Sequence, residues 1–98
     1  RIDVNISAFN MLFQIYSSST HHYQYKIDNA SSEQGSFNAS GSTITFTNIP
    51  ERNESAIKQL NKTDSNDSAE IDILIEVPLN ESSGNRTSRL IFTGYYVG

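Results

Sequence analysis

The residues with the clearest chemical signature are asparagines that open an Asn-x-Ser/Thr triplet. The chain has ten asparagines in 98 residues, and eight have a hydroxyl residue two positions later with no proline between: Asn5, Asn29, Asn38, Asn53, Asn61, Asn66, Asn80 and Asn85. Serine and threonine supply 22 residues, so a random order would give roughly two such triplets among the asparagines. The alternative source of the triplets is a surface rich in Ser, Thr and Asn. The excess favours covalent N-linked glycans, and hence an extracellular, cell-surface protein.

Composition restricts the classes of partner. The net charge is −4, the isoelectric point is near 4.9, and only seven residues are Lys or Arg. Nucleic-acid binding needs clustered cations to neutralise phosphates, so we expect no nucleic-acid partner. The longest runs of large apolar residues are three residues long, whereas a helix that spans a bilayer needs about 20. We therefore expect no membrane span.

Catalytic and metal-binding patterns are weak. His21 and His22 are adjacent, so on a strand they would face opposite sides of the sheet and would not share a ligand. The chain has no cysteine and no third histidine to complete a zinc site. One acidic stretch resembles a calcium loop but lacks the turn glycine of an EF-hand: Asp64, Asn66, Asp67 and Glu70. The serines belong to no nucleophile motif. We expect a non-enzymatic protein without a metal, whose only attached groups are its covalent glycans.

The apolar pattern has the period of a β-strand. The odd positions from Ile71 to Val77 are aliphatic and alternate with Asp72, Leu74 and Glu76. Similar alternation covers residues 21–28, 43–47 and 89–93, with a bulge expected at Gly94. Residues 55–61 look helical, but the segment is short enough for a single turn or a strand. Most acceptor asparagines fall between the alternating runs. Short strands separated by polar turns predict an all-β fold, an immunoglobulin-like antiparallel β-sandwich.

The expected core is small. Leu, Ile, Val and Phe total 24 residues, and no disulfide can compensate because cysteine is absent. A domain of this size buries roughly 60–70% of its unfolded surface. Such a core would gain stability from apolar groups that a neighbouring molecule supplies.

The N-terminal alternation changes phase after Ala8. Ile2, Val4, Ile6 and Ala8 occupy even positions, whereas the next apolar residues occupy odd ones: Phe9, Met11, Phe13 and Ile15. One flat strand cannot change phase without turning its side chains to the other face. The sequence therefore predicts either a bulge near residues 8–9 or two strands, 1–8 and 9–17. The two-strand interpretation divides the chain into an N-terminal donor strand, 1–8, and a sandwich domain, 9–98. In the alternative, residues 1–8 are an ordinary first strand of their own sandwich.

The ends of the chain resemble those of pilus subunits. A terminal alternating strand that completes a neighbour's sandwich is the donor-strand form of β-strand addition. The last strand, within residues 86–98, resembles the C-terminal strand of chaperone–usher pilins, with Gly84 before it and Tyr95 and Tyr96 near its end. The chain departs from those pilins because Val97 replaces a penultimate aromatic residue, cysteines are absent, and glycan acceptors are abundant. Abundant glycan acceptors, the absence of cysteine and a donor-type N-terminus together make the chain more similar to the glycosylated thread filaments of thermoacidophilic archaea, which resemble type I pili.

Two functions follow from these observations. The resemblance implies a structural subunit of an extracellular, N-glycosylated filament. Its partners would be identical subunits, joined head to tail through Ile2, Val4, Ile6 and Ala8, and it would serve adhesion or biofilm formation. The alternative is a monomeric glycosylated recognition ectodomain of a eukaryotic or viral surface protein, against which the absence of cysteine counts.

Overall fold

A computed structural model describes residues 1–8, 23–31, 33–63, 67–77, 84 and 87–97. These ranges contain six strands and a short 3-10 helix at Ala39–Gly41. The strands are β1 (Ile2–Ala8), β2 (Tyr23–Asn29), β3 (Thr47–Asn48), β4 (Glu54–Leu60), β5 (Ala69–Ile75) and β6 (Leu90–Tyr96). No helix in the described ranges is long and apolar enough to cross a membrane.

The strands form two antiparallel sheets of three strands each. Sheet A has the order β4-β1-β6, and sheet B has the order β3-β2-β5. In sheet A, Ile2 of β1 lies opposite Tyr96 of β6; in sheet B, Tyr25 of β2 lies opposite Ile73 of β5. β-Branched and aromatic residues are frequent in these strands because they pack well on a pleated surface. The chain is thus an all-β protein, a small antiparallel sandwich, as the period-two pattern predicts.

The core lies between the sheets and is small. Its buried apolar residues are Ile6, Ala8, Tyr23, Tyr25, Ile27, Ile49, Ala56 and Ile57. Five of them come from β1 and β2, the central strands of the two sheets. Burial of each large aliphatic side chain stabilises the fold by roughly 1.5–3 kcal/mol. Much of the core therefore depends on β1 and β2.

The chain between β2 and β4 joins the two sheets along one side. Asn38 N–H donates a hydrogen bond to the carbonyl of Lys58 (2.9 Å), and Thr43 N–H donates to the carbonyl of Ala56 (2.9 Å). The Thr43 carbonyl accepts from Ile27 N–H of β2 (2.8 Å). The segment between β2 and β4 thus covers the outer edge of β4. The other outer strands in the described ranges are the two-residue β3 and the longer strands β5 and β6.

Two local predictions from the sequence differ from the structure, and one open alternative is decided. Residues 55–60 lie in strand β4, so the strand alternative for the segment 55–61 is correct, and pairing with β1 determines this conformation. The predicted strand at residues 43–47 is reduced to β3, Thr47–Asn48. The bulge predicted at Gly94 is absent, since β6 pairs with β1 without a break from Leu90 to Tyr96. The predicted strand at 9–17 and the histidines at 21 and 22 lie outside the described residues.

Candidate assembly interface and glycan acceptors

Strand β1 occupies the centre of sheet A and is paired on both edges. Its pairing with β6 runs from Ile2 opposite Tyr96 to Ala8 opposite Leu90, and its pairing with β4 covers Ile2 to Ile6. We call the space between β4 and β6 the β1 slot. Without β1, both flanking strands would lose their hydrogen-bonding partner within the sheet.

The two faces of β1 have different environments. Ile6 is fully buried, Ala8 is nearly so, and Val4 packs against the same core. Ile2 is on the same face because side chains alternate along a strand, but it lies at the end of the strand and is 36% exposed. Asn5 is half-buried on the opposite face. The four apolar residues identified in the sequence therefore share one face, and that face forms part of the core.

Asp3 contacts an irregular part of β4. Between the pairs made by Ile2 and Val4, β1 contributes one residue, Asp3, whereas β4 contributes two, Lys58 and Gln59. This two-against-one arrangement is a β-bulge. Asp3 Oδ1 accepts a hydrogen bond from Gln59 N–H (2.9 Å), and Oδ2 accepts one from Lys58 Nζ (3.2 Å).

The bulge has an unusual backbone conformation that the Asp3 carboxylate supports. Gln59 has φ of 57°, the only positive φ among the described non-glycine residues. L-residues rarely adopt this left-handed conformation. The Gln59 N–H hydrogen bond is the main cause that lowers the pKa of Asp3; desolvation opposes it, and Lys58 lowers the pKa further. Asp3 is thus charged at neutral pH and accepts hydrogen bonds from both donors of the bulge, Gln59 N–H and Lys58 Nζ.

The outer strands β5 and β6 expose large apolar side chains. Ile73 lies opposite the buried Tyr25, and Phe92 lies opposite the buried Ile6, so both are on core-facing sides of their sheets. They are nevertheless 40% and 43% exposed. Other large apolar side chains exposed on these strands are Leu74, Ile75, Ile91, Tyr95 and Tyr96. The described residues therefore leave the β5 and β6 side of the sandwich uncovered.

Five of the eight predicted glycan acceptors lie in the described ranges, and none is buried. Asn38 and Asn53 are exposed, whereas Asn5, Asn29 and Asn61 are half-buried. Asn5 lies within β1 on the face opposite the core, and the others lie in loops or at strand ends. All five positions are compatible with a bulky surface group. The remaining acceptors lie outside the described residues: Asn66, Asn80 and Asn85.

Two acceptors line one hollow on the surface. Asn38, Asn61 and Phe37 are among the residues around this open hollow of about 190 Å³. Asn38 Oδ1 accepts a hydrogen bond from Ser40 Oγ, the hydroxyl of its own triplet, at 2.9 Å. Asn61 Nδ2, the atom that would carry a glycan, donates to a backbone carbonyl at 3.3 Å. Glycans on the two residues would be close neighbours.

An acidic group on sheet B is brought together by pairing of β2 with β5. Asp28 lies opposite Glu70, and Asp72 lies opposite Lys26; one oxygen from each of the three acids lies within 4.8 Å of the others. These oxygens are the type of ligand that hard cations prefer. However, Lys26 Nζ is 3.8 Å from Asp72 and 3.9 Å from Asp28, and a hydrogen bond with Asp72 raises the pKa of Glu70. Lys26 thus already compensates part of the negative charge.

Comparison of the chain with protein-family models, curated proteins and solved structures found no match. Function is therefore inferred from the residues and their geometry. The contact of Asp3 with Gln59 and the acidic group were both missed in the sequence. Each joins residues on different strands, so it depends on strand register, which a local pattern does not contain. The polar position of Asp3 within an apolar strand was the available signal for the first contact.

Proposed function

We propose that this chain is a structural subunit of an extracellular, N-glycosylated filament, in which residues 1–8 of each subunit fill the β1 slot of the next. The observation that carries the proposal is the central position of β1 in sheet A. Removal of β1 would expose the edges of β4 and β6 and open the core around Ile6. Such a slot requires a strand of matching pattern. A second copy of the chain supplies an identical one.

Exchange of β1 between subunits needs no threading of the chain. A single connection, residues 9–22, joins β1 to β2, and its 14 residues span at most about 46–50 Å when extended. Each subunit would then give one strand and receive one. Such a head-to-tail contact repeats into a filament when its rotation does not close a ring.

Two surface features support the proposal. The exposed apolar residues of β5 and β6 offer area that a neighbouring subunit would cover, because long apolar edge strands are a liability in an isolated molecule. The five glycan acceptors in the described ranges are not buried, so the polymer would carry an outer coat of sugar. A glycosylated filament of this kind suits adhesion or biofilm formation and corresponds to the archaeal threads that the sequence resembles.

One observation favours a second function, the monomeric glycosylated recognition ectodomain. Within a single chain, β1 already pairs with β4 and β6 and buries Ile6. If this intramolecular arrangement persists at all concentrations, the slot is permanently filled and no subunit can receive a neighbour's strand. The two functions therefore differ in one measurable property, the chain of origin of the strand in the slot.

Cysteine cross-linking distinguishes these functions, because the chain has no native cysteine. Chains carrying I2C are unfolded and refolded together with chains carrying Y96C; the two positions are opposite each other in the β1–β6 ladder. We expect a disulfide-linked dimer under oxidation, together with filaments in electron micrographs of native material. I2C mixed with T45C, an exposed position away from β1, is the control. Single particles, and no more dimer than in the control, would overturn the filament proposal.

A further inference from the structure

We infer that Asp3 sets the register and the partner choice of the subunit junction, through the receiving subunit's Lys58 and Gln59. The inference rests on the proposed function, exchange of β1 between subunits. Asp3 lies on β1, whereas Lys58 and Gln59 lie on β4, one of the two strands that flank the β1 slot. When β1 enters a neighbour's slot in the same register, both hydrogen bonds become contacts between two chains.

The apolar face of β1 does not by itself specify a register. Ile2, Val4, Ile6 and Ala8 repeat every second residue, so a slip of two residues would again place apolar side chains at three of these four positions. A slip in one direction would place Arg1 opposite the bulge, and a slip in the other would place Asn5 there. Arg1 would bring a second positive charge to Lys58, and Asn5 would bring no charge. Only the observed register places a carboxylate beside both donors.

The bulge makes this contact specific. Gln59, at φ of 57°, directs its N–H to the Asp3 side chain at 2.9 Å. Regular strand residues would instead use that N–H within the ladder. The Asp3 side chain is 19% exposed and that of Lys58 is 41% exposed, so solvent screens the ion pair in part. The backbone hydrogen bond does not depend on that charge pair and adds geometric selectivity.

A charge exchange tests partner choice. Donor chains carry I2C and receiver chains carry Y96C. Each of the two is prepared in two forms, one with the native Asp3 and Lys58 and one with the D3K/K58D double substitution. In mixed pairs, two carboxylates or two ammonium groups face each other across the junction. Like charges oppose the wrong partner, so we expect at least about a threefold lower cross-link yield in mixed pairs than in native pairs. The D3K/K58D chain paired with itself should recover yield above the mixed pairs, although it lacks the hydrogen bond to Gln59 N–H.

Uncharged variants test the hydrogen bond. D3N keeps an oxygen acceptor for Gln59 N–H, whereas D3A removes it. The expected order of cross-link yield is native, then D3N, then D3A. This comparison still tests the role of Asp3 if the D3K/K58D chain does not fold.

The outcomes separate the two proposals. Two results would overturn the role of Asp3 and leave the filament proposal intact. One is an equal cross-link yield in native, mixed and matched pairs. The other is an equal yield for D3N and D3A when the native pair cross-links efficiently. Absence of cross-links in the native pair would instead overturn the filament proposal itself.

Discussion

Tyr23 and Ile75 lie opposite each other in the β2–β5 ladder, yet Tyr23 is 4% exposed and Ile75 is 55% exposed. Residues directly opposite each other share a face of the sheet, so both side chains point toward the space between the sheets. That space is filled beside Tyr23 and uncovered beside Ile75. The outer strand β5 thus carries an apolar face for which the described part of the chain provides no cover.

Substitution of Ile75 should reduce association without unfolding the domain. I75K adds a charge to an exposed apolar edge, which is how natural edge strands avoid unwanted pairing. We expect lower self-association in sedimentation velocity, with a change in the free energy of unfolding within about 0.5 kcal/mol. The matched control is I27A, at a buried site on the adjacent strand, which should cost about 2–5 kcal/mol. Unchanged association, or a loss of stability like that of I27A, would contradict this prediction.

Substitution of Ile6 should prevent both folding and assembly. Ile6 is fully buried in the core, so I6D would bury a carboxylate without a partner, at a cost of several kcal/mol. The conservative variant I6V should lose only about 0.5–1.5 kcal/mol and still assemble. Chemical denaturation and electron microscopy of both variants provide the measurements. Filaments formed by I6D would show that this side chain does not enter a core.

A chain without residues 1–8 should be unstable, and the missing peptide should restore it. Truncation leaves the edges of β4 and β6 without a hydrogen-bonding partner and exposes the apolar core between them. Such a state is prone to aggregation. A peptide of residues 1–8 that binds only the folded chain stabilises it by RT ln(1 + L/Kd), where L is the free peptide concentration, so the stabilisation grows with the logarithm of the peptide concentration above Kd. Thermal unfolding should therefore shift upward with added peptide, and a peptide carrying I6D should have no effect. A truncated chain that is a stable monomer and indifferent to the peptide would identify residues 1–8 as dispensable.

Salt should not dissociate assembled filaments. The junction in our proposal consists of an apolar row and two backbone ladders, whereas salt screens only exposed charges. Light scattering at about 1 M NaCl should match that at low salt, within the small change that the pair between Asp3 and Lys58 allows. Complete disassembly by salt alone would indicate junctions that are mainly electrostatic.

Acid should destabilise the fold through Asp3 and Glu33. The pKa of Asp3 is lowered mainly by Gln59 N–H, and that of Glu33 mainly by a hydrogen bond from Ser68 Oγ, with a second from Asp67 N–H. Their folded pKa values lie below the unfolded ones, so the unfolded chain binds protons first. The stabilisation is fully present above about pH 4 to 5 and is lost as the pH falls through the folded values. Urea denaturation across this range should show a smaller acid loss for the D3N/E33Q variant.

Glu70 provides a control of opposite sign. Its hydrogen bond with Asp72 raises its pKa, so its folded form holds a proton more tightly than the unfolded chain does. This contribution is present at low pH and is lost as the pH rises through the folded value. E70Q should therefore stabilise the protein at neutral pH and change little in acid. A destabilising effect of E70Q at neutral pH would show that the charged form makes favourable contacts.

Native material should carry glycans on at least five of the eight acceptor asparagines. The five described acceptors are all at least partly exposed, and Asn38 and Asn53 are the most accessible. Asn5 should be occupied because its side chain lies on the face of β1 opposite the core. Intact mass before and after deglycosylation, followed by peptide mapping, measures occupancy. Fewer than three occupied sites would end the interpretation of a sugar-coated surface.

The sequence predicted the features that depend on local alternation and missed those that depend on register. The even positions of β1 and the odd positions of β2 were correctly assigned to strands because period-two patterns report directly on half-buried sheets. For residues 55–61 the sequence left a turn and a strand open, and pairing of residues 55–60 with β1, which a local pattern cannot show, decides for the strand. The positive φ of Gln59 was equally unforeseen, since glutamine has no preference for it. Strand exchange itself stays a prediction.

The order of strands in sheet A has a consequence for how the protein is made. Residues 2 and 96 are neighbours in the finished sheet, but a chain is synthesised from its N-terminus. Strand β1 is therefore complete long before β6 exists, and until then only one wall of its slot can hold it. Contacts between such distant segments form slowly because the intervening chain must first be ordered. Until the last strand is made, the edge of β1 that pairs with β6 has no partner in sheet A, so synthesis of residues 90–96 determines when this sheet is complete.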